Sequence, residues 1–263
     1  MLPEDGAALL AFKRNTEAPS DLQFGRAAVA LDDPAARLAE LEEFEDEPAD
    51  ESEQLAHVAA NEASSALAAA TTPAPELLPW FVEMERMLRP PWDEPDELPV
   101  RIDAHISLGD VDAAADVARL RALGISHVCN ASNVHHSALE EQYHAAGIDY
   151  LLLNAEDDAV YDMQQHCDAA ARFVQQARDA GGHCLVHCQA GINRSGFIVV
   201  AELMVNGGRL LLDALAHCSA QRGPLLWNEG FRVRLLNLAK AHGRLGDIPV
   251  DDPLPNAASN RPN

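Results

Sequence analysis

The sequence predicts an α/β fold, a central and mostly parallel sheet flanked by helices, preceded by an acidic, largely disordered N-terminal extension. Three observations lead there. From Val100 onward, short apolar runs alternate with stretches of helical periodicity, the pattern of a layered α/β domain. Several of those runs are apolar at consecutive positions, as strands inside a parallel sheet must be. Charge is also uneven: residues 1–97 hold 23 acidic against 6 basic residues, a balance of −17, and the remainder holds 19 against 13, a balance of −6.

In the extension, residues 40–53 (ELEEFEDEPADESE) are nearly all acidic or polar, and residues 59–75 are mostly Ala, Ser, Thr and Pro. Such chains bury too little apolar area to offset the entropy of ordering, so residues 1–76 are expected to be disordered, with short helices over 33–43 or 52–70 as the alternative. Between them and the domain, Leu77, Phe81, Met84 and Leu88 fall on one helical face, with Trp80 and Met87 beside them. That face either packs on the domain or docks a partner. Pro90 and Pro91 end the helix, and Pro95 and Pro99 keep the link to the domain extended, so residues 77–97 are expected to be an amphipathic helix and a Pro-rich linker.

Within the domain, expected at 98–245, residues 101–108 read as a strand or hairpin. Asp110 is an N-cap for a helix over 111–123, which Gly124 stops. A strand follows at 125–130, a helix at 137–146 ended by Gly147, and an apolar strand at 150–154. Next come a helix over about 161–180, a buried strand at 183–187, and a helix from 194 to about 205. Helices over 210–219 and 228–242 complete the domain, and the Pro-containing tail 246–263 lacks a packing pattern.

Composition excludes several roles. The formal charge of −23 argues against a nucleic-acid or anionic-membrane surface, both of which need clustered cations. No apolar run approaches the roughly 18 residues of a membrane span. Five cysteines at irregular spacing and the lack of a signal segment point to free thiols in the cytosol or nucleus.

The chemistry is concentrated in His187-Cys188-Gln189-Ala190-Gly191-Ile192-Asn193-Arg194-Ser195-Gly196, between a buried strand and an apolar helix. A Cys followed six positions later by Arg is cheap, at about 0.3 chance occurrences in this composition; His, Gly and Ser at their positions lower the rate to roughly 10⁻⁴. Successive backbone N–H groups ending on a helix N-terminus form an anion site. Gly191 lets the chain turn tightly against the ligand, and the Arg194 guanidinium can give a phosphoryl group two parallel hydrogen bonds. The same donors favour the thiolate of Cys188, which can attack phosphorus in line and form a phosphocysteine. Ser195 can assist that thiolate as a leaving group, and His187 can orient the loop through its backbone.

Residues 187–196 closely resemble the signature loop of dual-specificity phosphatases, within the protein-tyrosine-phosphatase superfamily. The likeness extends over about residues 98–245: residues 101–110, 124–131 and 150–157 resemble the family's opening, second and acid-loop strands, and 222–235 (RGPLLWNEGFRVRL) its closing segment. The resemblance implies a metal-independent, cofactor-free phosphatase acting on phosphoprotein substrates. It also implies that residues 189–194 bind phosphate, that Asp157 (with Asp158 as competitor and Met163 following) is the general acid, and that Asn130 braces the loop. Alternatives are a phosphoinositide, phosphoglucan or RNA 5′-triphosphate substrate, which the uncharged Gln189, Ala190, Ile192 and Asn193 disfavour, or an idle phospho-binding scaffold.

Other residues have bland readings beside sharp ones. His183-Cys184 and His187-Cys188 are metal-ligand types, but a strand spreads them along and across a sheet. Cys129 is a candidate redox partner of Cys188 or a small buried hydrophobe. His135 and His136 border the pocket or lie on the surface. Lys13-Arg14 with Leu22 and Phe24 loosely matches a kinase-docking segment, and the acidic extension offers a site for a basic partner.

Overall fold

The computed structural model describes residues 51–92, 95 and 97–249. The expectations for Lys13-Arg14, for residues 33–43, for most of the acidic run and for the tail beyond 249 lie outside the described residues.

Helix α1 (Glu51–Thr71) takes up the helical alternative for 52–70; its Ala- and Glu-rich sequence favours it, and its described side chains are almost all exposed. A 3₁₀ turn (Pro75–Leu77) leads into α2 (Leu78–Met87). The most buried stripe of this segment is Leu77, Trp80, Met84 and Leu88. Trp80 turns inward where Phe81 is expected, packing in the core with its indole N–H donated to the Leu245 carbonyl at 3.0 Å. Phe81 is half-buried, with the Arg232 guanidinium 5.9 Å from its ring centre. The apolar face is covered by the domain's own core, which is the packing alternative of the two expected for residues 77–88.

Strands β1 (Val100–Arg101), β2 (Ile106–Gly109), β3 (Ile125–Asn130), β4 (Asp149–Leu152) and β5 (His183–His187) form one sheet in the order β1-β2-β5-β3-β4. Only the β1–β2 hairpin is antiparallel. The mostly parallel sheet matches the expectation, and β5, buried on both faces, lies at its centre.

Between β2 and β3 the chain forms α3 (Val111–Ala115) and α4 (Val117–Ala122) instead of one helix over 111–123. Asp116 causes the break: its carboxylate accepts from Arg119 N at 3.0 Å and starts a second helix, as Asp110 starts the first. Helix α5 (Ser137–Ala145) joins β3 to β4, and a 3₁₀ turn (Met163–His166) opens the β4–β5 crossover helix α6 (Cys167–Asp179). The chain then adds α7 (Arg194–Val205), α8 (Leu211–Arg222) and α9 (Glu229–Ala241).

Side chains alternate across the sheet. Val128 and Leu185 join Leu120, Tyr143 and Ile148 on one face, while Cys129, Cys184 and Val186 join the larger core under α2 and α6–α9. Helix α7 runs through that larger core, buried from Arg194 to Met204, and so fixes the loop that precedes it.

Candidate active site

The loop from Cys188 to Asn193 leaves the C-terminal end of β5 and enters α7. Its shape is set from outside. The carbonyls of Gln189, Gly191, Ile192 and Asn193 accept from Val111 N (3.2 Å), Arg222 Nε (3.1 Å), Leu226 N (3.1 Å) and Phe197 N (2.8 Å), and that of Ala190 from Arg222 Nη2 (2.8 Å). With five successive carbonyls held outward, the N–H groups are left to face the hollow; among the described residues, those of 189–193 meet no protein acceptor. The α7 N-terminus likewise has no side-chain cap, since the Asn193 side chain is used elsewhere. Unpaired amides and a helix N-terminus converging on one point make an anion cradle.

Gly191 has φ +65°, and a Cβ there would lie 2.6 Å from the Gly109 carbonyl oxygen. Gly191→Ala is therefore expected to destabilise the fold by about 2 kcal/mol and to lower Tm by roughly 5 °C. Thermal unfolding checks this, and an unchanged Tm would show that the loop lies elsewhere.

Cys188, 2% exposed, sits at the floor of the cradle and accepts a hydrogen bond from Ser195 Oγ at 3.1 Å. The other four thiols serve as packing. Burial pushes Cys129, Cys167 and Cys218 up to about 12 and Cys184 well above the ordinary thiol value. Cys129 stands opposite Val186 in the β3–β5 ladder and beside Cys184, its expected place as a small hydrophobe.

Arg194 is buried, and its Nη1 donates to the Ala155 carbonyl at 3.2 Å and to Asn133 Oδ1 at 3.4 Å. Its Nε, 3.7 Å from Asp157 Oδ2, makes no hydrogen bond, so the guanidinium retains donor capacity.

Asp157 reaches the mouth of the cradle. Asn193 Nδ2 donates to both its oxygens at 3.1 Å, and Asn228 Nδ2 donates to Oδ1 at 3.0 Å. Asp158 does different work: its carboxylate accepts from Val160 N at 2.8 Å and closes a turn of its own loop. Of the two acids, Asp157 is the one joined to the loop.

His187 is buried, and burial pushes its imidazole down to about 4, so it is neutral near pH 7. Its Nδ1–H then donates to the Cys188 carbonyl at 3.4 Å, while Nε2 is buried without a partner. Among the described residues the Asn130 side chain makes no hydrogen bond to the loop, while its backbone pairs with His187 in the β3–β5 ladder. Its amide donates to the Val134 carbonyl (2.9 Å) and the Tyr150 hydroxyl (3.0 Å), and its oxygen accepts from Ser132 N (2.9 Å) and Oγ (2.7 Å). It thus shapes the turn that carries Asn133 to Arg194.

The candidate metal ligands are not gathered. Both His183 ring nitrogens are engaged, with Ser107 Oγ at 2.8 Å and the Ala104 carbonyl at 3.0 Å. His135 pairs with Glu140 at 2.5 Å, and His136 is exposed.

Sequence reasoning gave no role to Arg222, Asn133, Asn228, Gly230 or Arg234. Arg222 holds two loop carbonyls and Asn228 holds Asp157. Gly230 lets α9 press on the acid-bearing loop, since a Cβ there would lie 1.9 Å from the Ala159 carbonyl oxygen. Arg234 donates to the Ala159 and Val160 carbonyls at 2.7 and 2.6 Å. The available signal was the likeness of residues 222–235 to a family segment, without an assignment of what each residue touches.

Comparison with known proteins agrees with this geometry. Residues 106–241 match the family model described as "Dual specificity phosphatase, catalytic domain". Human dual specificity protein phosphatase 26 is 40% identical over 132 residues, 50% of this chain and 62% of the relative. Dual specificity protein phosphatase 1 of Arabidopsis thaliana is 30% identical over 146 residues, 56% of this chain and 71% of the relative. The crystal structure of human DUSP28 superposes with a TM-score of 0.51 at 27% identity, covering 57% of this chain and 98% of that one. The chain thus spans less than two thirds of the length of the first of these relatives. With a matching family model over more than half its length and a cradle built around Cys188, the chain belongs to the dual-specificity phosphatase family.

Proposed function

We propose that this chain is a protein phosphatase that hydrolyses phosphotyrosine and phosphoserine or phosphothreonine through a phosphocysteine. The observation that carries this is one loop that brings together Cys188 Sγ, the outward-held carbonyls of residues 189–193, the Arg194 guanidinium and, through Asn193, the Asp157 carboxylate.

The amides of residues 189–193 and Arg194 bind the phosphoryl oxygens. The Cys188 thiolate attacks phosphorus, a P–S bond forms, the P–O bond to the leaving group breaks, and Asp157 gives that oxygen its proton. Asp157, now a carboxylate, then takes a proton from water as the water oxygen attacks phosphorus. The P–S bond breaks, inorganic phosphate leaves, and the Ser195 hydroxyl, 3.1 Å from Sγ, stabilises the departing thiolate. His187 and Asn130 act by positioning. No step calls for a metal or another cofactor.

Phosphoproteins are the proposed substrates; Gln189, Ala190, Ile192 and Asn193 offer no added charge for an inositol phosphate or a triphosphate. The catalytic unit is taken as residues 98–245, following the amphipathic helix and Pro-rich linker of 77–97 and the extension 1–76. The extension is proposed as a tether for a basic partner, and 246–263 as a tail. Five unbridged cysteines support a reducing compartment, cytosol or nucleus, and among the described residues no helix is long and apolar enough to cross a membrane.

The test is hydrolysis of p-nitrophenyl phosphate by the purified full chain in excess chelator, followed by phosphotyrosine and phosphothreonine peptides. Turnover of all three is expected; binding of phosphopeptides without any turnover would replace the enzyme with a scaffold.

A further inference from the structure

Beside the cradle, the surface is aromatic in a way that the bond-making steps do not use. Trp227 is 53% exposed, and it is the only aromatic among the large apolar side chains that stand exposed in the described residues. Its backbone is pinned to the site on both sides. Leu226 N donates to the Ile192 carbonyl at 3.1 Å, and Asn228 bonds Asn193 and Asp157. The exposed indole therefore stands next to the residues that hold the loop and the Asp157 carboxylate.

Its ring lies 6.0 Å from that of Trp92, which is held by an indole N–H donated to the Leu88 carbonyl at 3.2 Å. Beyond Trp92 opens a groove of about 310 Å³, bounded by Pro91 and Trp92 on one side and by Ala216, Ser219 and Ala220 of α8 on the other. Arg89 is the only charged residue lining it, is exposed, and has no ion-pair partner among the described residues. The groove is close to the cradle: at 1.5 Å per helical residue, Ser219 and Ala216 precede Arg222 by about 4.5 and 9 Å along α8, and Arg222 holds the loop carbonyls.

Resting on the phosphatase reading, we infer that Trp227, Trp92 and this groove form a docking subsite for the substrate's own chain, taking a bulky apolar side chain and a neighbouring carboxylate that flank the phosphorylated residue. Continuity with the cradle, and an Arg89 guanidinium with no ion-pair partner among the described residues, argue for that occupant. The indoles and the Pro91 ring are stiff and apolar, so they bury a Leu or Phe of the peptide at little ordering cost, and the guanidinium of Arg89 takes an Asp or Glu.

The experiment uses the full chain and two sets of phosphotyrosine peptides. One set carries Leu and Glu three to five residues before or after the phosphotyrosine; the other has Ser and Ala in their places. For one of the two sides, kcat/KM is expected to be about tenfold higher with Leu and Glu. Trp227→Ala and, separately, Ala220→Glu, which fills the groove and neutralises Arg89, should abolish that ratio. Ala220→Glu should leave p-nitrophenyl phosphate turnover unchanged. In the Cys188→Ser protein, the favoured peptide should also shift tryptophan emission, and Trp227→Phe should remove most of that shift. A preference absent in the wild type, or surviving both Trp227→Ala and Ala220→Glu, would overturn the docking subsite while p-nitrophenyl phosphate turnover keeps the phosphatase reading intact. Absence of turnover on every substrate would remove both.

Discussion

Cys188→Ser is expected to reduce hydrolysis of p-nitrophenyl phosphate at least about a thousandfold, while leaving the protein folded and able to bind phosphate. The two side chains differ by one atom, and the site is 2% exposed, so the cradle has no reason to move. The carbonyls of residues 189–193 are held by Val111, Arg222, Leu226 and Phe197 through bonds that do not involve the sulfur. A serine hydroxyl is not ionised at neutral pH, and its oxygen is a poorer nucleophile and leaving group at phosphorus than a thiolate sulfur. The loss should therefore fall on the chemical step. Measured kcat, with inorganic phosphate binding as the second readout, separates this from unfolding. Retained turnover would assign the nucleophile to another group and sink the phosphocysteine route.

The parts of this machinery that sequence reveals are those encoded by neighbours along the chain. The strand at 183–187 and the helix from 194 to 205 coincide with β5 and α7, because an apolar run, a loop requiring glycine and an apolar helix are all local patterns. Cys188, Gly191, Arg194 and Ser195 follow from the same ten residues. What escapes is contact between distant residues. Arg222 lies 31 positions from Gly191, and Asn228 lies 71 from Asp157; no periodicity links either pair. For the same reason sequence does not show how Asn130 is held: its side chain bonds Ser132, Val134 and Tyr150, and its backbone pairs with His187 in the β3–β5 ladder. On the helix that precedes the domain, spacing identified an apolar side but not which aromatic turns inward; Trp80 does, packing in the core and donating to the distant Leu245 carbonyl. Asp116, read as one residue within a helix, breaks that helix because its side chain caps the next turn better than the helix continues.

The choice between Asp157 and Asp158 is of the same kind, and kinetics can decide it. Asp157→Asn should slow phenyl phosphate hydrolysis by roughly 10²- to 10³-fold, the usual range for loss of a general acid, and p-nitrophenyl phosphate hydrolysis far less. Phenolate is a poor leaving group and needs the proton as the P–O bond breaks; the more acidic nitrophenol can depart without it. The asparagine keeps the shape and one acceptor oxygen for Asn193 and Asn228, so its defect is the missing proton and not a displaced loop. Asp158→Asn should instead slow both substrates by the same small factor, because among the described residues that carboxylate accepts only from Val160 N and closes an exposed turn. A lost cap changes loop order, which does not sense the leaving group. A steep leaving-group dependence confined to Asp157→Asn therefore identifies a proton donor, and the same dependence in Asp158→Asn would transfer the role to the neighbouring acid.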